Sequence, residues 1–120
     1  MNNDRRGHHG GQVRDLSGPR GGYRFRLKAS NGQIILTSEG YTRKPSAISG
    51  IASVKRNARV DARFARKASA DQFLFNLTAT NGKVIGTSER YKTERACENG
   101  SQSVIKHAPE AATVDLTVAA

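Results

Sequence analysis

Apolar and polar residues alternate without interruption from Tyr23 to Ser30, with Tyr23, Phe25, Leu27 and Ala29 on one side and Arg24, Arg26, Lys28 and Ser30 on the other. A period of two is that of a strand with one buried face. Asn31-Gly32 follows, a dipeptide favoured where both central residues of a two-residue hairpin turn need positive φ. Gln33 to Ser38, carrying Ile34, Ile35 and Leu36, then supplies an antiparallel return strand. After Tyr41 the period lengthens. Ala47, Ile51, Val54 and Ala58 fall on one side of a helix, and Pro45 suits its first turn, where no backbone donor is required.

The same succession starts again fifty residues later. Phe73, Phe75, Leu77 and Ala79 alternate, Asn81-Gly82 marks the turn, Lys83 to Ser88 returns, and Cys97, Ser101, Val104 and Ala108 form a helical stripe between Thr93, a suitable N-cap, and Pro109. Aligned without a gap from Tyr23 to Ala58, fourteen of thirty-six positions are identical between the copies. The chain is a tandem repeat, with the first unit at about 23–60 and the second at about 61–120. Gly50 and Gly100 interrupt both helices at matching places, each costing roughly 1 kcal/mol against Ala. Close approach of helix to sheet is the expected compensation.

A weaker strand is expected at Gln12 to Leu16, anchored by Val13 at the edge of the sheet, with a stronger counterpart at Ala62 to Lys67 anchored by Phe64. Ala111 to Val118 alternates through Val114, Leu116 and Val118 and reads as a last strand. Each unit is then three strands, a helix and a following strand, and the strand after the first helix runs into the second unit. Residues 1–22, rich in Gly and Arg, bury too little apolar surface to offset the entropy of ordering them. They are expected to form a flexible arm before a single domain at 23–120.

The segments FRLKASNGQIILTSEGY and FNLTATNGKVIGTSERY, each followed by a helix holding SG or NG and then SVKRNA or SVIKHA, resemble the YegP-like family of small bacterial proteins. The closing TVDLT is similar to that family's last segment. The resemblance implies an α+β fold in which two tandem β-β-β-α-β repeats build one antiparallel sheet, with two helices packed on one face and the C-terminal strands exchanged between units. It implies no biochemical activity, since the family has none established. The long arm, the weak first strand and the basic first unit depart from the family pattern.

Charge sharpens this picture. Of the net +10, residues 1–60 hold twelve Lys or Arg against three acids, +9, and residues 61–120 hold eight against seven, +1. Arg24, Arg26 and Lys28 form a row about 7 Å apart on alternate strand positions, close to the spacing of phosphates along a nucleic-acid strand. Arg43 and Lys44 before the first helix, and Lys55, Arg56 and Arg59 at its end, extend the set. Arg5, Arg6, Arg14 and Arg20 add to it from the arm. Leu74, Asn76 and Thr78 stand where the second unit would repeat the row. The row contains no aromatic residue for stacking bases, so contact would be backbone-directed and salt-sensitive. The helix-end cations have a structural alternative, because they complement the helix dipole.

Catalytic and metal chemistry find little support. The repeated Thr37-Ser38-Glu39 and Thr87-Ser88-Glu89 offer hydroxyls, but a nucleophile needs a base in reach, and the only histidines are His8, His9 and His107. Satisfaction of backbone groups in the turn is the expected role. His8-His9 lacks the spacing of a zinc site, and the single cysteine, Cys97, is expected to be a small core residue. No cofactor is expected. No apolar run approaches the roughly 18 residues of a membrane span, so the chain is read as soluble and cytoplasmic. The functional expectation is a non-catalytic binding module, a monomer with pseudo-twofold repeat or a weak dimer, whose basic first unit meets an acidic protein surface or a nucleic-acid backbone. The alternative is a structural or regulatory interaction domain whose charge serves solubility.

Overall fold

The computed structural model describes residues 11–17 and 22–115. The first ten residues, with His8 and His9, residues 18–21 of the arm, and Leu116 and Val118 of the closing segment lie outside them. The strands are β1 (Gln12–Ser17), β2 (Tyr23–Lys28), β3 (Ile34–Ser38), β4 (Phe64–Ser69), β5 (Gln72–Thr78), β6 (Val84–Thr87) and β7 (Ala112–Asp115). The helices are α1 (Lys44–Asn57) and α2 (Glu94–His107). The seven strands form one sheet in the order β4-β5-β6-β3-β2-β1-β7.

The repeats meet at β3 and β6, where Thr37 stands opposite its own counterpart Thr87, so a pseudo-twofold axis passes between them. Strands are exchanged as expected: β4, the strand that follows the first helix and runs into the second unit, pairs with β5, and β7, which ends the second unit, lies beside β1. Two features differ from the expectation. The β1–β7 pair is parallel, so the sheet is mixed rather than wholly antiparallel, and β1 is an interior strand rather than an edge. The cause lies in the register. Val13 sits opposite Leu27 as Phe64 sits opposite Leu77, so β1 already occupies beside β2 the place that β4 occupies beside β5. A strand arriving from α2 can then add only on the outside.

Alternation turns Phe25, Leu27, Phe75 and Leu77 to one face, all 1% exposed or less. Both helical stripes join them in one core: Ile51 and Val54 from α1 with Ala58 just beyond its end, and Cys97 and Val104 from α2 with Ala108 just beyond its end. Burial pushes the Cys97 thiol above its ordinary pKa, as suits a small core residue. Leu36 shows how packing breaks the symmetry. Its counterpart is Gly86, and a Cβ on Gly86 would come within 2.7 Å of Leu36 Cδ2. One bulky side chain fills the space at the axis where two would collide.

The hairpin tips are one residue longer than expected. Gly32 N donates to Ala29 O and Ala29 N to Gln33 O, both 2.9 Å, leaving Ser30, Asn31 and Gly32 as a three-residue loop. Gly32 alone takes positive φ, 85°, while Asn31 Oδ1 accepts from Gln33 N at 2.9 Å. Gly82 and Asn81 reproduce this arrangement. It is the turn-plus-bulge form of hairpin, in which only the last loop residue must be left-handed.

A true two-residue turn joins β4 to β5, since Ser69 pairs with Gln72. Its first residue, Ala70, has φ 53°, a left-handed conformation costing an L-residue with a Cβ about 1–2 kcal/mol. Ala70→Gly relieves that strain but frees the unfolded chain, so a net gain of about 0.5–1 kcal/mol is expected. The midpoint of a urea transition measures it, and a lowered midpoint would refute the assignment of strain to Ala70.

Candidate polyanion-binding surface

Because Phe25 and Leu27 point into the core, Arg24, Arg26 and Lys28 stand on the sheet's other face, which no helix among the described residues covers. Thr37 and Asn76 lie on that face as well, opposite Arg26 and Thr87 respectively. None of the three cations has an ion-pair partner among the described residues. Arg24 is exposed, and its Nη2 lies 3.1 Å from where a Cβ on Gly40 would be, so the guanidinium rests against the bare backbone after β3. Arg26 is half-buried, and its Nε is shut off from solvent without an acceptor. In the second unit the same position is quiet, since Asn76 Oδ1 accepts from Thr87 Oγ1 at 2.9 Å.

Two further cations belong to this surface and escape a comparison of matched strand positions. Arg90 occupies the place of Gly40, and Leu74 that of Arg24, so the second unit carries its cation after the strand rather than on it. Arg90 Nη1 donates to Gln72 Oε1 at 3.2 Å. Lys67, exposed, sits opposite Leu74. Alternation along β4 gives it away, because its neighbour Arg66 is turned to the helix side. There Arg66 Nε binds Glu98 Oε1 at 2.7 Å and Nη2 binds Asp61 Oδ1 at 3.0 Å. Arg66 is thus a structural tie between β4 and α2.

The remaining expected residues are on the helix layer, so the set does not converge on one surface. Arg43 is the N-cap of α1 and makes no side-chain cap bond, whereas Thr93 Oγ1, its counterpart at α2, accepts from Ala96 N at 3.0 Å. A missing cap costs about 1 kcal/mol. Cations at Arg43 and Lys44 also oppose the positive end of the helix, and α1 has no acid in its first turn to offset them. At the other end Lys55, Arg56 and Arg59 line, with Ala52, a shallow concavity of about 490 Å³. Arg56 and Arg59 are exposed, and Lys55 Nζ lies 3.5 Å from Thr113 Oγ1.

The Thr-Ser-Glu segments prove structural in geometry. Ser38 Oγ accepts from Phe25 N at 2.9 Å and donates to Glu39 O at 2.8 Å. Ser88 does the same with Phe75 N, 2.9 Å, and Glu89 O, 2.7 Å. Tyr41 and Tyr91 then bridge back to Tyr23 and Phe73. Burial raises the pKa of both phenols, with Glu39 adding to it at Tyr41 and Cys97 and Glu89 at Tyr91.

The same fold and repeat are found in known proteins. The family model for a domain of unknown function, DUF1508, matches the chain twice, over residues 20–64 and 68–115. This chain belongs to the DUF1508 family. A UPF0339 protein from the ptx operon 5' region of Stutzerimonas stutzeri is 54% identical over 97 residues, 80% of this chain and 87% of that protein. The solution NMR structure of YegP from Escherichia coli, a protein of unknown function, shares 39% identity with a TM-score of 0.84, over 89% of this chain and 93% of that one. A UPF0339 protein of Shewanella oneidensis, also solved by NMR, has the same identity and TM-score. The YegP-like resemblance and the exchanged tandem-repeat fold are therefore borne out. What DUF1508 membership establishes is a small α+β domain of unknown function. Among the described residues, no helix is long and apolar enough to cross a membrane.

Proposed function

We propose that this chain is a non-catalytic binding domain that engages a nucleic-acid backbone through the uncovered face of its sheet. The observation that carries the reading is the row Arg24, Arg26 and Lys28, unpaired among the described residues, on a strand whose other side is core. A cation row left without counter-ions is a ready-made exchanger for phosphates, because each contact releases condensed counter-ions. The buried Arg26 Nε adds to this. An unsatisfied donor costs about 1–3 kcal/mol, and an anionic acceptor would remove that cost. Phosphate suits the surface better than an acidic protein does, since stable protein interfaces are anchored by buried aromatic or aliphatic groups and the row holds none.

Fluorescence anisotropy with labelled single- and double-stranded DNA at 50 and 200 mM salt tests the proposal. Three phosphate contacts give a salt slope near −2.7, hence about a 40-fold loss of affinity between those concentrations. The variant Arg24→Gln/Arg26→Gln/Lys28→Gln is expected to bind more weakly than the native chain at 50 mM salt while melting at an unchanged temperature. Absence of binding at 50 mM salt by the native chain overturns the proposal. Capture of an acidic peptide in its place would redirect the row to an acidic protein partner.

A further inference from the structure

The second basic group faces the opposite way. Ala47, Gly50, Ile51, Val54 and Asn57 are the buried residues of α1, so Ala52 and Arg56, both exposed, point away from the sheet, while exposed Arg59 lies just past the helix end and half-buried Lys55 stands at the helix flank with its Nζ 3.5 Å from Thr113 Oγ1. Lys55, Arg56 and Arg59 have no ion-pair partner among the described residues, and α1 contains no acidic residue at all. A helix C-terminus presents only about half a negative charge, which three cations exceed. Among the described residues, their common concavity, about 490 Å³, has Ala52 as its only apolar lining residue. It offers charge without the apolar anchor a protein partner would need.

We infer that the domain is bivalent and bridges two segments of nucleic acid, one held by the sheet face through Arg24, Arg26 and Lys28, the other by the concavity at the C-terminal end of α1 through Lys55, Arg56 and Arg59. This rests on the proposed backbone binding and adds that two ligands are held at once. The physical reason is stiffness. Duplex DNA has a persistence length of about 50 nm, so one duplex does not fold around a small domain to reach surfaces that face in opposite directions. Two duplexes reach them without bending.

Capture of one duplex by another tests this on the full chain. A short biotinylated duplex is fixed to beads, a fluorescent duplex is offered in solution at low salt, and retained fluorescence is read with and without protein. The native chain is expected to retain the second duplex. Two variants, Arg24→Gln/Arg26→Gln/Lys28→Gln and Lys55→Gln/Arg56→Gln/Arg59→Gln, are each expected to bind a single duplex with a salt slope still near −2.7, set by the three cations that remain, and to lose capture by at least about tenfold. All six positions are exposed or half-buried, and an unchanged thermal transition verifies folding. If the native chain binds one duplex but captures no second, bivalency is wrong while backbone binding stands. If capture survives the α1 variant, two copies of one surface do the bridging and the inference is overturned. If the native chain binds no duplex at all, both readings fail together.

Discussion

Gly50→Ala and Gly100→Ala will each lower the melting temperature, although alanine is the better helix former. Propensity alone favours the substitution by about 1 kcal/mol. The space is already taken. A Cβ on Gly50 would overlap the Tyr41 hydroxyl and stand 3.2 Å from Phe25 Cε2, and a Cβ on Gly100 would overlap the Tyr91 hydroxyl with Cζ at 2.7 Å. Overfilling a packed core costs about 1–3 kcal/mol. A net loss of up to about 2 kcal/mol follows for alanine, as much as roughly 8–16 °C in a domain of this size, and a larger loss for leucine. The tyrosine ring, rather than the sheet backbone, is what approaches the helix. The test is therefore a pair of backgrounds. In Tyr41→Ala or Tyr91→Ala protein, the matching Gly→Ala change should become stabilising by about 1 kcal/mol. A rise in melting temperature on Gly50→Ala with Tyr41 intact would refute the clash.

Ser38→Ala and Ser88→Ala are expected to cost about 1–3 kcal/mol each. Each serine accepts from a buried backbone N–H, that of Phe25 or Phe75, where its strand stops offering a main-chain acceptor. Alanine fits the volume but strands the donor. With total stability of about 5–15 kcal/mol for such domains, the double variant should unfold at markedly lower urea, with the slope of the transition unchanged. Hydrogen exchange at the Phe25 amide should quicken in Ser38→Ala. Unchanged midpoints in both single variants would remove the serines from the scaffold and reopen a chemical role for the Thr-Ser-Glu turns.

These serines also illustrate what the repeat can and cannot convey. Identity between copies marks scaffold: Ser38 and Ser88, Tyr41 and Tyr91, Gly50 and Gly100 perform the same tasks twice. Difference between copies does not by itself mark function. Leu36 against Gly86 is a packing solution at the pseudo-twofold axis, and Arg24 with Gly40 against Leu74 with Arg90 relocates a cation between neighbouring places. The row at Arg24, Arg26 and Lys28 became a candidate surface only once the face it occupies was known to be uncovered.

The chain by itself determined the elements, their order, the two helical stripes and the unequal charge of the units, because these follow from local periodicity and composition. It also carried the family, through segments repeated closely enough to be matched twice. Only the tertiary structure decided the rest. That β7 lies parallel outside β1, that tyrosine rings fill the helical glycine gaps, and that one basic group faces away from the sheet while another lies on it depend on contacts between residues far apart in sequence. Alternation tells which side of a strand a residue takes, but not whether a helix covers that side.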